Sequence, residues 1–140
     1  CVALAFTSLA FYKYHKFPSR IFPGDSGALV LGATYGVIAI VGHVEVIAAI
    51  AILPAIVNSF LFLSSVKKIV EHRKIKNPTT HTDDFKLKST DDKTTPITLV
   101  RLIVAKKPLS EKQICNEIFK LTTLSGVLAI ITAFMMGVEL

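Results

Sequence analysis

A single aspartate, Asp25, stands at the entrance to a long apolar stretch of this sequence. It belongs to the run Phe22-Pro-Gly-Asp-Ser-Gly27, and the residues behind it, from Ala28 to Gly42, carry no charge. A carboxylate at the edge of an apolar helix loses solvation free energy unless a cation or a partner holds it, so such residues are functional candidates. The simplest alternative is a helix N-cap at Asp25, with Ser26 or Gly27 beginning the helix.

A basic segment, Glu71-His-Arg-Lys-Ile-Lys-Asn-Pro78, follows a second uncharged stretch, Val46 to Val66. Arg73 offers a planar fork of donors that matches phosphate oxygens, and Lys74 adds a point charge. Because the segment follows a membrane helix, its residues can face the same membrane-edge cavity as Asp25. The alternative is a basic anchor on the cytoplasmic side of the membrane.

The composition indicates that the elements carrying these residues lie in a membrane. Hydrophobic residues make up 51% of the chain and charged residues only 19%, and the mean hydropathy is +0.56. The 21 residues from Val46 to Val66 would span about 31 Å as a helix, close to one hydrocarbon core. These uncharged spans exclude a soluble enzyme or a transcription factor.

The sequence predicts an all-α polytopic membrane protein with three full transmembrane helices and a truncated one. The first helix begins inside an apolar segment without a basic n-region, so we expect no signal peptide. We expect the chain, residues 1–140, to be the C-terminal part of one larger integral membrane domain. The predicted helices cover about residues 1–12, 26–43, 45–66 and 117–138, and the predicted cytoplasmic loops cover 13–25 and 67–112.

The basic residues predict the orientation of the helices. Lys13, Lys16 and Arg20 lie in the first loop, and twelve further basic residues lie between Lys67 and Lys112. The positive-inside rule therefore places both loops in the cytoplasm. The net charge of +6 would there attract anionic membrane lipids or a phosphorylated ligand. Nucleic acid is a poor candidate partner, because aromatic residues are not interleaved with the basic ones.

Two features of the apolar stretches predict how the helices pack. Ala28, Gly32 and Gly36 are spaced by four, which allows close helix packing inside a bundle and would also suit a homodimer. Pro54 removes one backbone hydrogen bond and predicts a kink. Asn58, one turn later, is expected to satisfy a freed backbone group or a neighbouring helix rather than a ligand.

The second basic loop contains signals of local structure. Alternation around residues 85–88 and the β-branched run 97–104 predict two short strands that form a β-hairpin. Ser110 and Gln113 form a capping-box pattern, and Leu109 and Ile114 are spaced as a hydrophobic staple. The last helix should therefore begin near residue 111, before it enters the membrane.

The stretch Ser19-Arg-Ile-Phe-Pro-Gly-Asp-Ser-Gly27 resembles the F-x-G-D-[STV]-G segment of the polyprenyl-phosphate N-acetylhexosamine-1-phosphate transferases. The later elements follow in the order of that family: a helix with Pro54-Ala-Ile-Val-Asn58, a basic loop with His72-Arg73 and a last membrane helix. The Arg-Ile-Phe-x-Gly-Asp context and the His-Arg pair are most similar to the dolichyl-phosphate GlcNAc-1-phosphate transferases. The resemblance covers the whole chain but only the C-terminal part of such an enzyme.

The resemblance implies a Mg²⁺-dependent transferase that moves GlcNAc-1-phosphate from UDP-GlcNAc to a dolichyl or other polyprenyl phosphate. It implies that Asp25 is a Mg²⁺ ligand and that His72, Arg73, Lys74 and Arg20 bind the substrate diphosphate. The family's acidic motif lies in an earlier loop, so no catalytic residue is expected here and the chain alone should be inactive. The site would face the cytoplasm, in the cell membrane of a prokaryote or the endoplasmic reticulum of a eukaryote.

One residue departs from the family pattern, and one alternative function stays open. Pro23 occupies a position that is usually aliphatic, which bears on the direction of the Asp25 carboxylate. The alternative is a noncatalytic membrane scaffold or lipid-binding subunit whose basic loop holds anionic lipids. An Asp-Asp motif in an earlier cytoplasmic loop would favour the enzyme, whereas a start codon just before Cys1 would favour the scaffold.

The predicted orientation can be tested with a cysteine placed at Ser89 in a background without other cysteines. Because Ser89 lies in the second basic loop, a membrane-impermeant thiol reagent should label it only after the cells are permeabilised. Labelling from outside sealed cells would reverse the orientation.

Overall fold

The computed structural model describes residues 2–66, 77–82, 86–90 and 95–137. The chain divides into two compact units, Cys1–Ala48 and Ala49–Leu140. The helices are α1 (Val2–His15), α2 (Gly24–Val41), α3 (Glu45–Ala51), α4 (Leu53–Val66), α5 (Leu99–Ile103) and α6 (Glu111–Met135), and the strands are β1 (Thr79–His81) and β2 (Leu87–Ser89).

Within the described part, two helices are long and apolar enough to cross a membrane, namely α2 and α6. The pair of α3 and α4 meets the same test only when its two helices are taken together. Large apolar side chains on α2, among them Leu29, Val37 and Val41, are exposed, as expected where lipid rather than water surrounds a helix. These features are those of an integral membrane protein.

The predicted helix over residues 45–66 is broken at Ile52, where α3 and α4 are bent by 74°. Pro54 has no N–H with which to continue the ladder of α3, and the amides of Ala55 and Ile56 both donate to the Ile52 carbonyl, at 2.9 and 3.2 Å. The break leaves carbonyls at the end of α3 without helical donors. The Tyr35 hydroxyl donates to one of them, that of Ala48, at 2.8 Å.

In the second unit, two side chains of α4 form hydrogen bonds with the backbone at the start of α5. The Asn58 side-chain oxygen accepts from the Leu99 amide at 2.8 Å, and the Ser65 hydroxyl accepts from the Ile97 amide at 2.9 Å. Asn58 therefore has the structural role that its position beside Pro54 predicts.

The predicted strand over residues 97–104 is wrong, because α5 occupies this segment. The Thr98 side chain accepts from the Arg101 amide and caps the helix. A two-stranded antiparallel sheet is present, but it pairs β2 with β1, so that Thr80 lies opposite Lys88.

Arg101 joins α5 to this sheet through its guanidinium group. It donates to the carbonyls of Thr95 at 2.7 Å and Thr90 at 3.0 Å, and its Nε lies 3.4 Å from the Ser89 hydroxyl. These bonds to backbone and hydroxyl oxygens give Arg101 a structural role between α5 and the sheet.

A small apolar core closes the region before α6. Val104, Leu109 and Ile114 are buried together, and Leu109 also exchanges two backbone hydrogen bonds with Leu87. Ser110 caps α6 and forms a capping box with Gln113, so both the predicted cap and the predicted staple are confirmed.

Further along α6, the buried residues are small. Ser125, Ala129 and Ala133 are buried on one face of α6. The helix α6 packs against α4. The spacing of these three residues by four allows close backbone approach. The small-residue stripe of α2 is different, because an added Cβ at Gly32 or Gly36 would meet open space there.

The hydrogen bond from Leu99 to Asn58 predicts a loss of stability in Asn58→Ala. A half-buried amide would lose its acceptor, so the free energy of unfolding should fall by about 1–3 kcal/mol, measured by thermal or denaturant unfolding in detergent. Ser59→Ala, at the exposed next position, is the matched control and should be nearly neutral. Equal stability of the two variants would show that the bond contributes nothing.

Candidate functional site

Asp25 lies in the first turn of α2, and its side chain is exposed. The N-cap residue of this helix is Pro23, and no side chain forms a cap hydrogen bond there. The alternative explanation of Asp25 as the N-cap, with the helix beginning at Ser26 or Gly27, is therefore wrong. The helix begins at Gly24, and the Asp25 carboxylate is not used to cap it.

The backbone requires glycine at both Gly24 and Gly27, for a different reason at each position. Gly24 has a φ of +62°, a left-handed conformation that costs a residue with a Cβ about 1–2 kcal/mol. A Cβ at Gly27 would lie 2.9 Å from the Cβ of Pro23, closer than packed atoms tolerate. The glycines thus fix the backbone on either side of Asp25, and Pro23 packs against the second of them.

The loop before the motif folds back onto the end of α1. The Ser19 hydroxyl donates to the His15 carbonyl at 2.6 Å, and the Arg20 amide donates to the Tyr14 carbonyl at 3.0 Å. Arg20, a predicted substrate-binding residue, is exposed. Among the described residues, one ion pair is present, between Lys120 and Glu117. Within that part of the chain, neither Arg20 nor Asp25 forms an ion pair.

A cleft of about 740 Å³ lies between α1 and α2 beside the motif. Its walls are mainly apolar and aromatic, and its polar members come from the same two helices. The lining residues are Thr7, Ser8, Phe11, Tyr12, His15, Phe22, Pro23, Ser26, Gly27, Val30 and Leu31. The cleft places an apolar surface next to the turn that carries Asp25.

The other predicted site residues, His72, Arg73 and Lys74, lie outside the described residues. His15 was missed by the sequence analysis although its ring contacts Phe11 and Phe22. The spacing of Phe11 and His15 by four, which places both on one helix face, is the signal that could have found it.

No group of three or more His, Cys, Asp or Glu side chains gathers within the described ranges. A full protein cage is not what Mg²⁺ needs, since it keeps several waters and commonly takes one or two carboxylates together with substrate phosphates. The single exposed carboxylate of Asp25 fits that partial donor set. The other ligands would have to come from substrate, water or other parts of the protein.

Comparison with known proteins gives matches for the N-terminal part of the chain. Residues 1–43 match the family described as glycosyl transferase family 4. Over 41 residues, the chain is 46% identical to the phospho-N-acetylmuramoyl-pentapeptide-transferases of Clostridium perfringens strain 13 and strain SM101. The alignment covers 29% of this chain, which spans about 13% of the length of these relatives. No solved structure matches.

The matched stretch contains α1, the loop and α2, and therefore includes Arg20 and Asp25. The resemblance to the family is confirmed over residues 1–43, whereas the nearer likeness to the dolichyl-phosphate GlcNAc-1-phosphate transferases stays a prediction. His72, Arg73 and Lys74 lie beyond it, so their assignment rests on the sequence pattern.

The conformation of Gly24 predicts opposite effects of two glycine substitutions. Gly24→Ala should lower the free energy of unfolding by about 1–2 kcal/mol, because its φ is left-handed although space is open. Gly32→Ala, inside α2 with equally open space, should raise it by about 0.5–1 kcal/mol. Thermal unfolding of both variants in detergent measures the difference, and destabilisation confined to Gly32→Ala would contradict the assigned turn.

Proposed function

We propose that this chain, whose residues 1–43 match glycosyl transferase family 4, is part of an integral membrane enzyme that transfers a sugar-1-phosphate from a UDP-sugar to a polyprenyl phosphate. The observation that carries the proposal is the exposed carboxylate of Asp25, at the head of an apolar helix and inside the matched stretch. It has no capping role that would explain it.

The reaction joins two anions. A phosphate oxygen of the lipid attacks the β-phosphorus of the UDP-sugar, the bond from that phosphorus to the bridging oxygen breaks, and UMP leaves with the electron pair. The products are a lipid-linked diphosphate sugar and UMP. The protein must therefore offset negative charge on both reactants and hold them in line.

Asp25 would supply one oxygen ligand to Mg²⁺, which when bound offsets the charge of the diphosphate. Arg20, His72, Arg73 and Lys74 are the proposed cationic contacts of the same diphosphate, since guanidinium and ammonium groups match phosphate oxygens. The remaining site residues are proposed to lie in parts of the protein that precede this chain. The chain by itself should therefore transfer nothing.

Two observations bear on which sugar and which lipid are the substrates, and they point to different ones. The names of the relatives state phospho-N-acetylmuramoyl-pentapeptide as the group transferred, whereas the Arg-Ile-Phe-x-Gly-Asp context and the His72-Arg73 pair favour GlcNAc-1-phosphate and a dolichyl acceptor. We favour GlcNAc-1-phosphate, in the first membrane step of lipid-linked glycan synthesis. A transfer assay of the full-length protein with both UDP-sugars, and with dolichyl and undecaprenyl phosphate, distinguishes them.

Asp25→Asn is the substitution that tests the proposed role most directly. It keeps the size of the side chain but removes the charge that holds a cation, so transfer by the full-length protein should fall on the order of a hundredfold or more. Added Mg²⁺ should restore only part of the activity. The free energy of unfolding should change by about 1 kcal/mol or less, because only the charge interaction with the helix N-terminus is lost.

Glu45→Gln is the matched control, because Glu45 is also an exposed acid in the first turn of a helix. It should transfer at the wild-type rate. Full activity of Asp25→Asn would end the metal-ligand assignment, and absence of transfer by the wild-type protein with every substrate pair would favour the scaffold alternative.

A further inference from the structure

The imidazole of His15 lies at the junction between α1 and the loop that leads to Asp25. Its Nδ1 is 3.1 Å from the Ile21 carbonyl oxygen. Its ring stacks on Phe11, with centroids 5.4 Å apart and an interplanar angle of 22°. The edge of Phe22 meets the same ring at 5.9 Å and 84°. One side chain thus contacts Phe11 of α1 and also Ile21 and Phe22 near the end of the loop.

The contact with Ile21 determines where the His15 proton lies. A carbonyl oxygen can only accept, so the hydrogen bond forms when the proton is on Nδ1. In the neutral ring this leaves Nε2 without a proton. The stacked and edge-to-face rings add to this bond, since aromatic pairs in these geometries attract each other.

The backbone around His15 closes the same loop. The His15 carbonyl accepts from the Ser19 hydroxyl, and the neighbouring Tyr14 carbonyl accepts from the Arg20 amide. Only Pro23 and Gly24 separate Phe22 from Asp25, the φ of Pro23 is fixed by its ring, and the Pro23 carbonyl accepts from the Gly27 amide of α2 at 3.2 Å. A displacement of Phe22 would therefore be transmitted to Asp25.

We propose that His15 is a positioning residue: its Nδ1–H and ring hold Ile21 and Phe22, and thereby set the place of the Asp25 carboxylate at the membrane edge. The effect on Asp25 rests on the proposed function. The role of His15 in holding the loop does not, and it is tested separately.

The first measurement is limited trypsin digestion of the full-length protein in detergent, following cleavage of the Arg20–Ile21 bond by mass spectrometry. Cleavage requires the loop to leave α1, because the Arg20 amide and the Ile21 carbonyl are both bound there. His15→Ala should accelerate it about tenfold, the effect expected from losing one hydrogen bond and the ring contacts. Cleavage after Lys106, in an exposed bend, is the internal reference and should not change.

Two rescue variants separate the hydrogen bond from the ring. His15→Asn keeps an N–H donor near the position of Nδ1, and His15→Phe keeps the ring without a donor, so each should give cleavage between the wild-type and His15→Ala rates. Tyr14→Ala is the matched control, because the Tyr14 side chain is exposed and only its backbone carbonyl binds Arg20. It should be cleaved at the wild-type rate.

The second measurement is the Mg²⁺ concentration that gives half-maximal transfer. His15→Ala should raise it by about tenfold and lower kcat, with partial recovery in His15→Asn, because the same loss of loop order displaces Asp25. A purely structural role would lower the midpoint of thermal unfolding but leave the Mg²⁺ requirement of the folded enzyme unchanged.

The outcomes separate the inference from the proposed function. Unchanged cleavage at Arg20 in His15→Ala overturns the role of His15 in the loop. Faster cleavage with an unchanged Mg²⁺ requirement overturns its role in positioning Asp25. A wild-type protein without Mg²⁺-dependent transfer overturns the proposed function and with it the role at Asp25, while the digestion still decides whether His15 holds the loop.

Discussion

Backbone groups at the ends and breaks of helices have no helical partner and must find another one, most of all where lipid surrounds them. Lipid offers no hydrogen bonds, so each unpaired amide or carbonyl there costs several kcal/mol. At the break between α3 and α4, the Tyr35 hydroxyl binds the Ala48 carbonyl. Before α5, in the loop predicted to lie in the cytoplasm, Asn58 and Ser65 bind the amides of Leu99 and Ile97, which have no helical acceptor. Each of these polar side chains therefore forms a hydrogen bond with a backbone group that lacks a helical partner.

Asp25 differs from these residues because its side chain caps no backbone amide, and its charge interacts only with the positive end of α2. The turn before it is made by Gly24 with its left-handed φ, the helix is capped at Pro23 without a side-chain bond, and Gly27 gives room to Pro23. Pro23, Gly24 and Gly27 thus shape the backbone of the motif, whereas the Asp25 carboxylate does not. The carboxylate is the part of the motif that is left for chemistry.

The sequence predicted those features that depend on neighbours along the chain. The capping box of Ser110 and Gln113 is such a feature, because both partners lie within one helical turn. The segment 97–104 was mistaken for a strand because its β-branched residues fit one, whereas Asn58, 41 positions before Leu99, supplies a bond that local composition does not reveal. His15 was missed for the same reason, since its contacts with Ile21 and Phe22 require the loop to fold back.

The position of Asp25 also bears on the kind of ligand that suits it. The first turn of α2 has amide groups without helical acceptors and lies at the positive end of the helix dipole, which favours an anion. The carboxylate of Asp25 in the same turn favours a cation. The full charge of the carboxylate outweighs the roughly half charge of the dipole, so the turn as a whole favours a cation, while its free amides can still donate to an anion. A diphosphate carrying Mg²⁺, as proposed for the substrate, would present both signs of charge and so suit both features of this turn.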